Sequence, residues 1–204
     1  MAGSERLKES ASQTAGPYVH IGCVPSFAGL EGMFRGRDLG SVMITGAATG
    51  ERVVITGRVL DGAGEPVTDA LLEIWQADAQ GLFNGPSETH GVADPHFTGW
   101  GRQPTDGETG QFRFETIRPG RVPWPDGRMQ APHISLWIVA RGINLGLSTR
   151  VYFSDESAAN SEDPLLQEIG DPARVATLIA ARKADEYSFD ICLQGDNETV
   201  FLDV

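Results

Sequence analysis

From Glu51 onward, apolar residues recur at every second position in short bursts, and this alternation constrains the fold more than any other feature. Val53, Ile55, Gly57 and Val59 share one side of a stretch whose other side carries Arg52, Val54, Thr56 and Arg58. A period of two marks a strand, because successive side chains point to opposite faces of a sheet. Asp61-Gly62 and Gly64 then mark a turn. Residues 70–77 repeat the pattern, with Leu72, Ile74 and Gln76 opposite Leu71, Glu73 and Trp75. Residues 110–117 place Phe112 and Phe114 together, 133–141 form an apolar and therefore central strand, and 148–153 add another. Residues 188–193 and 199–202 read as a closing hairpin. One helix interrupts the strands: Asp171 caps it, Pro172 takes its first position, and Val175, Leu178, Ile179 and Arg182 follow helical spacing toward Lys183.

The 25 Gly and 12 Pro of 204 residues supply the turns such a fold needs. The expectation is a mainly β chain: an antiparallel β-sandwich with long loops, an extended N-terminal arm and one or two short helices. Residues 1–50 show no sustained period and are assigned to the arm and its loops; residues 51–204 form the sandwich domain. A polar arm without its own core pattern must lie on its own domain or on a neighbour.

Charge narrows the function. A net charge of −12 repels nucleic acid and anionic membrane surfaces. The longest mostly apolar run, residues 134–140, falls far short of the ~20 residues a membrane span needs. The first sixteen residues lack the apolar stretch of a signal peptide. Cytoplasmic localisation is expected, and Cys23 and Cys192 are read as small buried apolar residues rather than as a disulfide framework.

Motifs for chemistry are sparse. His20, His90, His96 and His133 form no spaced metal pair, and no nucleophile elbow or phosphate-binding glycine loop is present. His90 and His96 lie in a polar loop with Glu88 and Asp94, and His133 opens an apolar strand as a structurally bonded residue. Arg141 closes that strand just before Gly142, where a guanidinium can clamp a carboxylate or form an ordinary surface ion pair. Tyr18, after Pro17, can present its ring to a ligand or pack on the surface.

Several blocks are specific enough to carry a resemblance. They are Ile55-x-Gly57-x-Val59, Gly64, Val67, Leu72-Glu73-Ile74 and Gly81-x-Phe83, then Thr105-Asp106, Gly110 to Phe114, Thr116 to Gly120, and Ala131-Pro132-His133-Ile134. In this order, across nearly the whole chain, they resemble the intradiol ring-cleavage dioxygenases, non-haem ferric enzymes built on a β-sandwich. The resemblance implies Fe³⁺ held by two tyrosinates and two histidines. At the corresponding positions this chain has Phe83, Val122, His133 and Ser135. Three of the four lack the family's donor, so these are vestigial ligand positions and this chain is expected to bind no metal.

Two-chain members of the family pair an iron-bearing chain with a homologous chain that lacks the ligands. Gln13 to Tyr18, Ala140 to Asn144, Gln194-Gly195 and Glu198 to Phe201 resemble the latter. The resemblance implies that iron is bound by a homologous partner chain, that a carboxylated catechol and O₂ are the substrates, and that no catalytic residue lies in this chain alone. Thr14, Gly16, Pro17, Tyr18 and Arg141 then form a substrate-pocket wall, with Arg141 near the substrate carboxylate. The alternatives are a non-catalytic binding module derived from the same scaffold, or an iron enzyme acting by itself.

Overall fold

The computed structural model describes residues 13–203. Its strands are β1 (Arg52–Leu60), β2 (Leu71–Trp75), β3 (Trp100–Pro104), β4 (Gln111–Ile117), β5 (His133–Val139), β6 (Leu147–Phe153), β7 (Ile179–Lys183), β8 (Glu186–Ser188) and β9 (Ile191–Cys192). The α-helices are α1 (Pro17–Cys23), α2 (Ser157–Glu162), α3 (Pro164–Ile169) and α4 (Pro172–Ala176). Hydrogen bonding runs in the order β3-β2-β5-β6-β7-β8-β1-β4, with β9 also on β1.

Strand β7 joins the two layers. Ile179 and Ala180 pair in parallel with Tyr152 and Phe153 of β6, and Ala181 to Lys183 pair antiparallel with β8. A strand that leaves one sheet for another makes the corner of a sandwich. The inner faces meet in one buried cluster: Val53, Ile55 and Val59 of β1 and Phe112 and Phe114 of β4 lie with Leu72 and Ile74 of β2 and Ile134, Leu136 and Ile138 of β5. These are the alternating positions the sequence marks out. Most pairings are antiparallel; β1 with β8, β1 with β9, and β6 with β7 are parallel.

Several details differ from the sequence reading. The helix begins at Asp171, whose side chain accepts from Ala173 N, but it ends at Ala176, and residues 179–183 are strand β7. Leu178 and Ala180 are fully buried, and pairing with β6 and β8 outweighs the helical spacing. The expected closing hairpin is reduced, among the described residues, to Thr199 N donating to the Cys192 carbonyl at 2.9 Å and Cys192 N donating to the Thr199 hydroxyl at 3.0 Å: β8 and β9 pair with β1, and Leu202 bridges Ser148. The described part of the arm is coiled rather than extended, into α1 and 3₁₀ turns at Pro25–Ala28 and Met33–Gly36. Among the described residues, four short α-helices stand where one or two short helices were expected. Strand β3 has no apolar alternation because it is a polar edge strand ending in Pro104.

The arm is fastened to this edge. Arg102 of β3 sits opposite Glu73 of β2 and bonds its carboxylate at 2.7 Å, while donating to the Cys23 carbonyl at the end of α1 at 3.3 Å. Met43 belongs to the buried core, and Ile44 bridges Phe97. Cys23 and Cys192 are half-buried free thiols.

At Gly57 the chain admits no side chain. A Cβ there would stand 1.8 Å from the Phe189 carbonyl oxygen, where the chain leaving β8 crosses β1. Gly57→Ala is expected to destabilise the fold by about 3 kcal/mol through overpacking. Chemical denaturation measures this, and a loss under about 1 kcal/mol would contradict the close crossing.

Candidate functional site

Strand β5 has a pocket at each end. Its first residue, His133, opens onto one, and Arg141, two residues past its last, borders the other.

Three of the five expected pocket-wall residues line the cavity at the Arg141 end. Gly16, Pro17 and Arg141 line a cavity of about 300 Å³ together with His20, Phe27 and Asp69. Thr14 is the hook: its hydroxyl donates to the Ala140 carbonyl at 3.3 Å and accepts from Gly142 N at 2.8 Å, so it grips the residues on both sides of Arg141. Arg141 Nε lies 3.2 Å from Asp69 Oδ2, yet the arginine side chain stays 80% exposed. One carboxylate therefore orients the guanidinium without covering it. Tyr18, on α1, is 85% exposed. His20 is a residue the sequence reading left without a role. It is buried against Phe27, burial lowers its pKa, and its Nε2 has no partner among the described residues.

The His133 end gathers the four positions that the sequence resemblance marked as vestigial ligand positions. Phe83, Val122, His133 and Ser135 all line a second cavity of about 570 Å³. Local chemistry brings them together. The Asp78 carboxylate is buried and accepts from Gln80 N, Leu82 N and Asp94 N, which shapes the turn before Phe83. Gly81, at φ 83°, lets the Arg121 carbonyl approach to 2.2 Å from where a Cβ would be, and this sets Val122 close to Phe83. Ser135 stands in a cross-strand row between Trp75 of β2 and Arg150 of β6.

His133 is structurally bonded, as its place at a strand start suggested. Its Nδ1 donates to the Ala131 carbonyl at 2.8 Å, and burial, aided by the nearby Arg150 guanidinium, lowers its pKa to about 4. It is therefore a neutral imidazole at pH 7.

These residues do not fit a ferric ion. Phe83 and Val122 have no donor atom, Ser135 offers a neutral hydroxyl, and the one imidazole lies beside a fixed cation. Tyr152 cannot substitute, because its hydroxyl donates to Asp163 at 3.2 Å and burial raises its pKa. Tyr187 is bound to Asp155 and Arg118. Among the described residues, no three His, Cys, Asp or Glu side chains cluster as metal ligands. In the loop at the cavity mouth, Glu88 accepts from Phe83 N, and its other oxygen meets His90. These bonds, that from Phe83 N foremost, lower the Glu88 pKa to about 2.

The sequence reading missed Asp78, Asp163 and Arg150. Asp163 was findable, since Asp163-Pro164 repeats the cap signature recognised at Asp171-Pro172. Arg150 carried no local signal; its place follows from strand pairing alone.

Sequence and structure comparison assign this sandwich to a family. The family described as Dioxygenase matches residues 34–195, and the chain belongs to it. The chain is 41% identical, over 98% of both sequences, to the protocatechuate 3,4-dioxygenase alpha chain of Pseudomonas putida. It is 37% identical to the beta chain of that enzyme from Burkholderia cepacia, over 76% of this chain and 69% of that one. The dioxygenase domain of a carbohydrate-binding fusion from Streptomyces sp. SirexAA-E superposes with a TM-score of 0.55 at 30% identity, over 77% of this chain and 86% of that one. Among the described residues, no helix is long and apolar enough to cross a membrane.

The buried imidazole gives this end a pH signature. An unfolded histidine titrates near 6.5, while His133 in the fold titrates near 4. Below pH 6.5 the unfolded chain gains a proton that the folded chain does not. Stability is therefore complete above that pH and falls as pH drops toward 4, by about 2–3 kcal/mol from this residue. Denaturation of the wild type and His133→Gln at pH 7 and at about pH 4.5 measures it. Equal pH dependence in both proteins would contradict a neutral buried imidazole.

Proposed function

We propose that this chain is the alpha subunit of a protocatechuate 3,4-dioxygenase. In this reading a homologous beta chain holds the iron, and the assembly inserts both atoms of O₂ between the hydroxyl-bearing carbons of protocatechuate. The product is 3-carboxy-cis,cis-muconate. The observation that carries the reading is the joined surface at the Arg141 end. The Thr14 hydroxyl ties the arm to the loop bearing Arg141, so Gly16, Pro17 and the guanidinium line one cavity.

The role of each residue follows from its chemistry. Arg141 supplies a local positive charge for the substrate carboxylate in a chain whose average charge is strongly negative. Asp69 limits its swing. Gly16 and Pro17 shape the wall, and the exposed Tyr18 ring is free to meet a partner. The apolar exposure of the arm supports a partner. Of the thirteen exposed large apolar side chains among the described residues, eight fall between Tyr18 and Val42, including Met33, Phe34 and Leu39. Such concentration marks an interaction surface rather than ordinary scatter. Residues 1–50 are accordingly read as an assembly arm on a sandwich domain of residues 51–204, and the complex as cytoplasmic.

Expression of the chain alone and together with a beta chain tests the assembly. The expected result is a co-purified complex with red-brown colour and iron that follows the beta chain. A stable chain that ignores the partner would support a binding module instead, and near-stoichiometric iron in the chain alone would overturn the donor argument.

Arg141→Ala tests the carboxylate role. The KM for protocatechuate is expected to rise about three- to tenfold, with little change for a catechol that lacks the carboxylate. An equal effect on both substrates would contradict it.

A further inference from the structure

The cavity at the His133 end retains a cation that the fold does not neutralise. Nine arginines, including Arg102, Arg118 and Arg182, pair with carboxylates among the described residues. Arg150 has no such pair there, in a chain with 28 acidic residues. Its Nη1 donates to Gln130 Oε1 at 2.7 Å and to the Tyr152 hydroxyl at 3.2 Å. Its other nitrogens have no partner among the described residues. Gln130 is itself held, donating to the Pro123 carbonyl at 3.0 Å. The guanidinium lies 5.9 Å from the Trp124 ring centre and is half-buried. It is a positioned donor with bonds to spare.

The negative groups near it are already engaged. The Glu88 carboxylate takes two backbone N–H groups and His90. Asp163 lies beyond Tyr152 and accepts from the Tyr152 hydroxyl, Ala131 N, Leu165 N and Leu166 N. His133 is uncharged. Part of the remaining wall is aromatic: Trp75 and Phe83 lie parallel within 12°, with ring centres 6.0 Å apart, while Asn84, Ser87 and His90 make its polar portion. The cavity, about 570 Å³, is within the range of small-ligand sites.

We propose that this cavity is a binding site for a small aromatic carboxylate, with Arg150 holding the carboxylate and the Trp75–Phe83 wall facing the ring. Ser135 stands beside Arg150 in the cross-strand row and offers a hydroxyl to the same anion. The site lies at the opposite end of β5 from Arg141, more than about 20 Å along the strand, so the two arginines cannot serve one ligand. It needs no metal and does not depend on the assembly proposed above.

Calorimetric titration with benzoate, and with the uncharged benzamide of the same shape, tests the proposal on the full chain in whatever assembly it purifies. Benzoate is expected to fill one site per chain, and benzamide to bind at least about tenfold more weakly. Arg150→Gln keeps a donor toward Gln130 and Tyr152, and is expected to weaken benzoate at that site by at least about tenfold while the melting curve holds. In a complex with an iron-bearing partner, Arg150→Gln removes one site per chain of this protein and spares any other. The proposal is overturned if benzoate shows no such site, if benzamide matches benzoate, or if folded Arg150→Gln binds benzoate like the wild type. The benzoate–benzamide comparison stands even if the variant does not fold.

Discussion

The buried carboxylate of Asp163 organises more of this molecule than any other single group. It caps α3 through Leu165 N and Leu166 N, holds the chain just before β5 through Ala131 N, and receives the Tyr152 hydroxyl from β6. A fully buried carboxylate is tolerated only when its oxygens are bonded, and here four donors meet it. The order continues outward, because Tyr152 in turn accepts from Arg150, and Gln130 steadies the same nitrogen. The geometry of the His133 cavity thus begins at a residue that does not line it.

Charge is handled locally throughout. At the end of β4, Arg118 spreads its guanidinium over Glu51, Asp155 and Glu156, while Arg182 of β7 shares Glu51 and Asp155. Burial works against the Asp155 charge, but bonds from Arg118, Arg182 and the Tyr187 hydroxyl outweigh it and hold the carboxyl well below the usual range. That network joins strands from both layers and leaves little field for a ligand. The two arginines at the ends of β5 differ. Arg141 is anchored by one carboxylate and otherwise open, and Arg150 is oriented by neutral groups. An acidic chain offers positive charge to a small anion only through such exceptions.

The strands were legible wherever one face is buried and the other wet. In β1, β2 and β4 the apolar residues fall on the inner face at every second position, so local sequence and tertiary packing agree. The edge strand β3 was not legible, because its side chains form a polar border and an anchor for the arm. Residues 178–182 misled for the opposite reason. Their spacing suits a helix, but Leu178 and Ala180 are needed in the core, and the pairing of β7 carries the chain from one layer to the other. The arm was recognised as aperiodic, whereas its helical turns depend on contacts such as Arg102 to the Cys23 carbonyl, which no local pattern announces.

By itself the sequence determined the sandwich class and the side-chain chemistry available at Phe83, Val122 and Ser135. Alternation is a local property, and whether a side chain owns a donor atom depends only on residue type. The tertiary structure alone decided what those positions became. Cross-strand register set Trp75, Ser135 and Arg150 in one row, and a hydroxyl on Thr14 met backbone groups more than a hundred residues away. Such contacts join residues distant in the chain, so their chemistry exists only once the strands have paired.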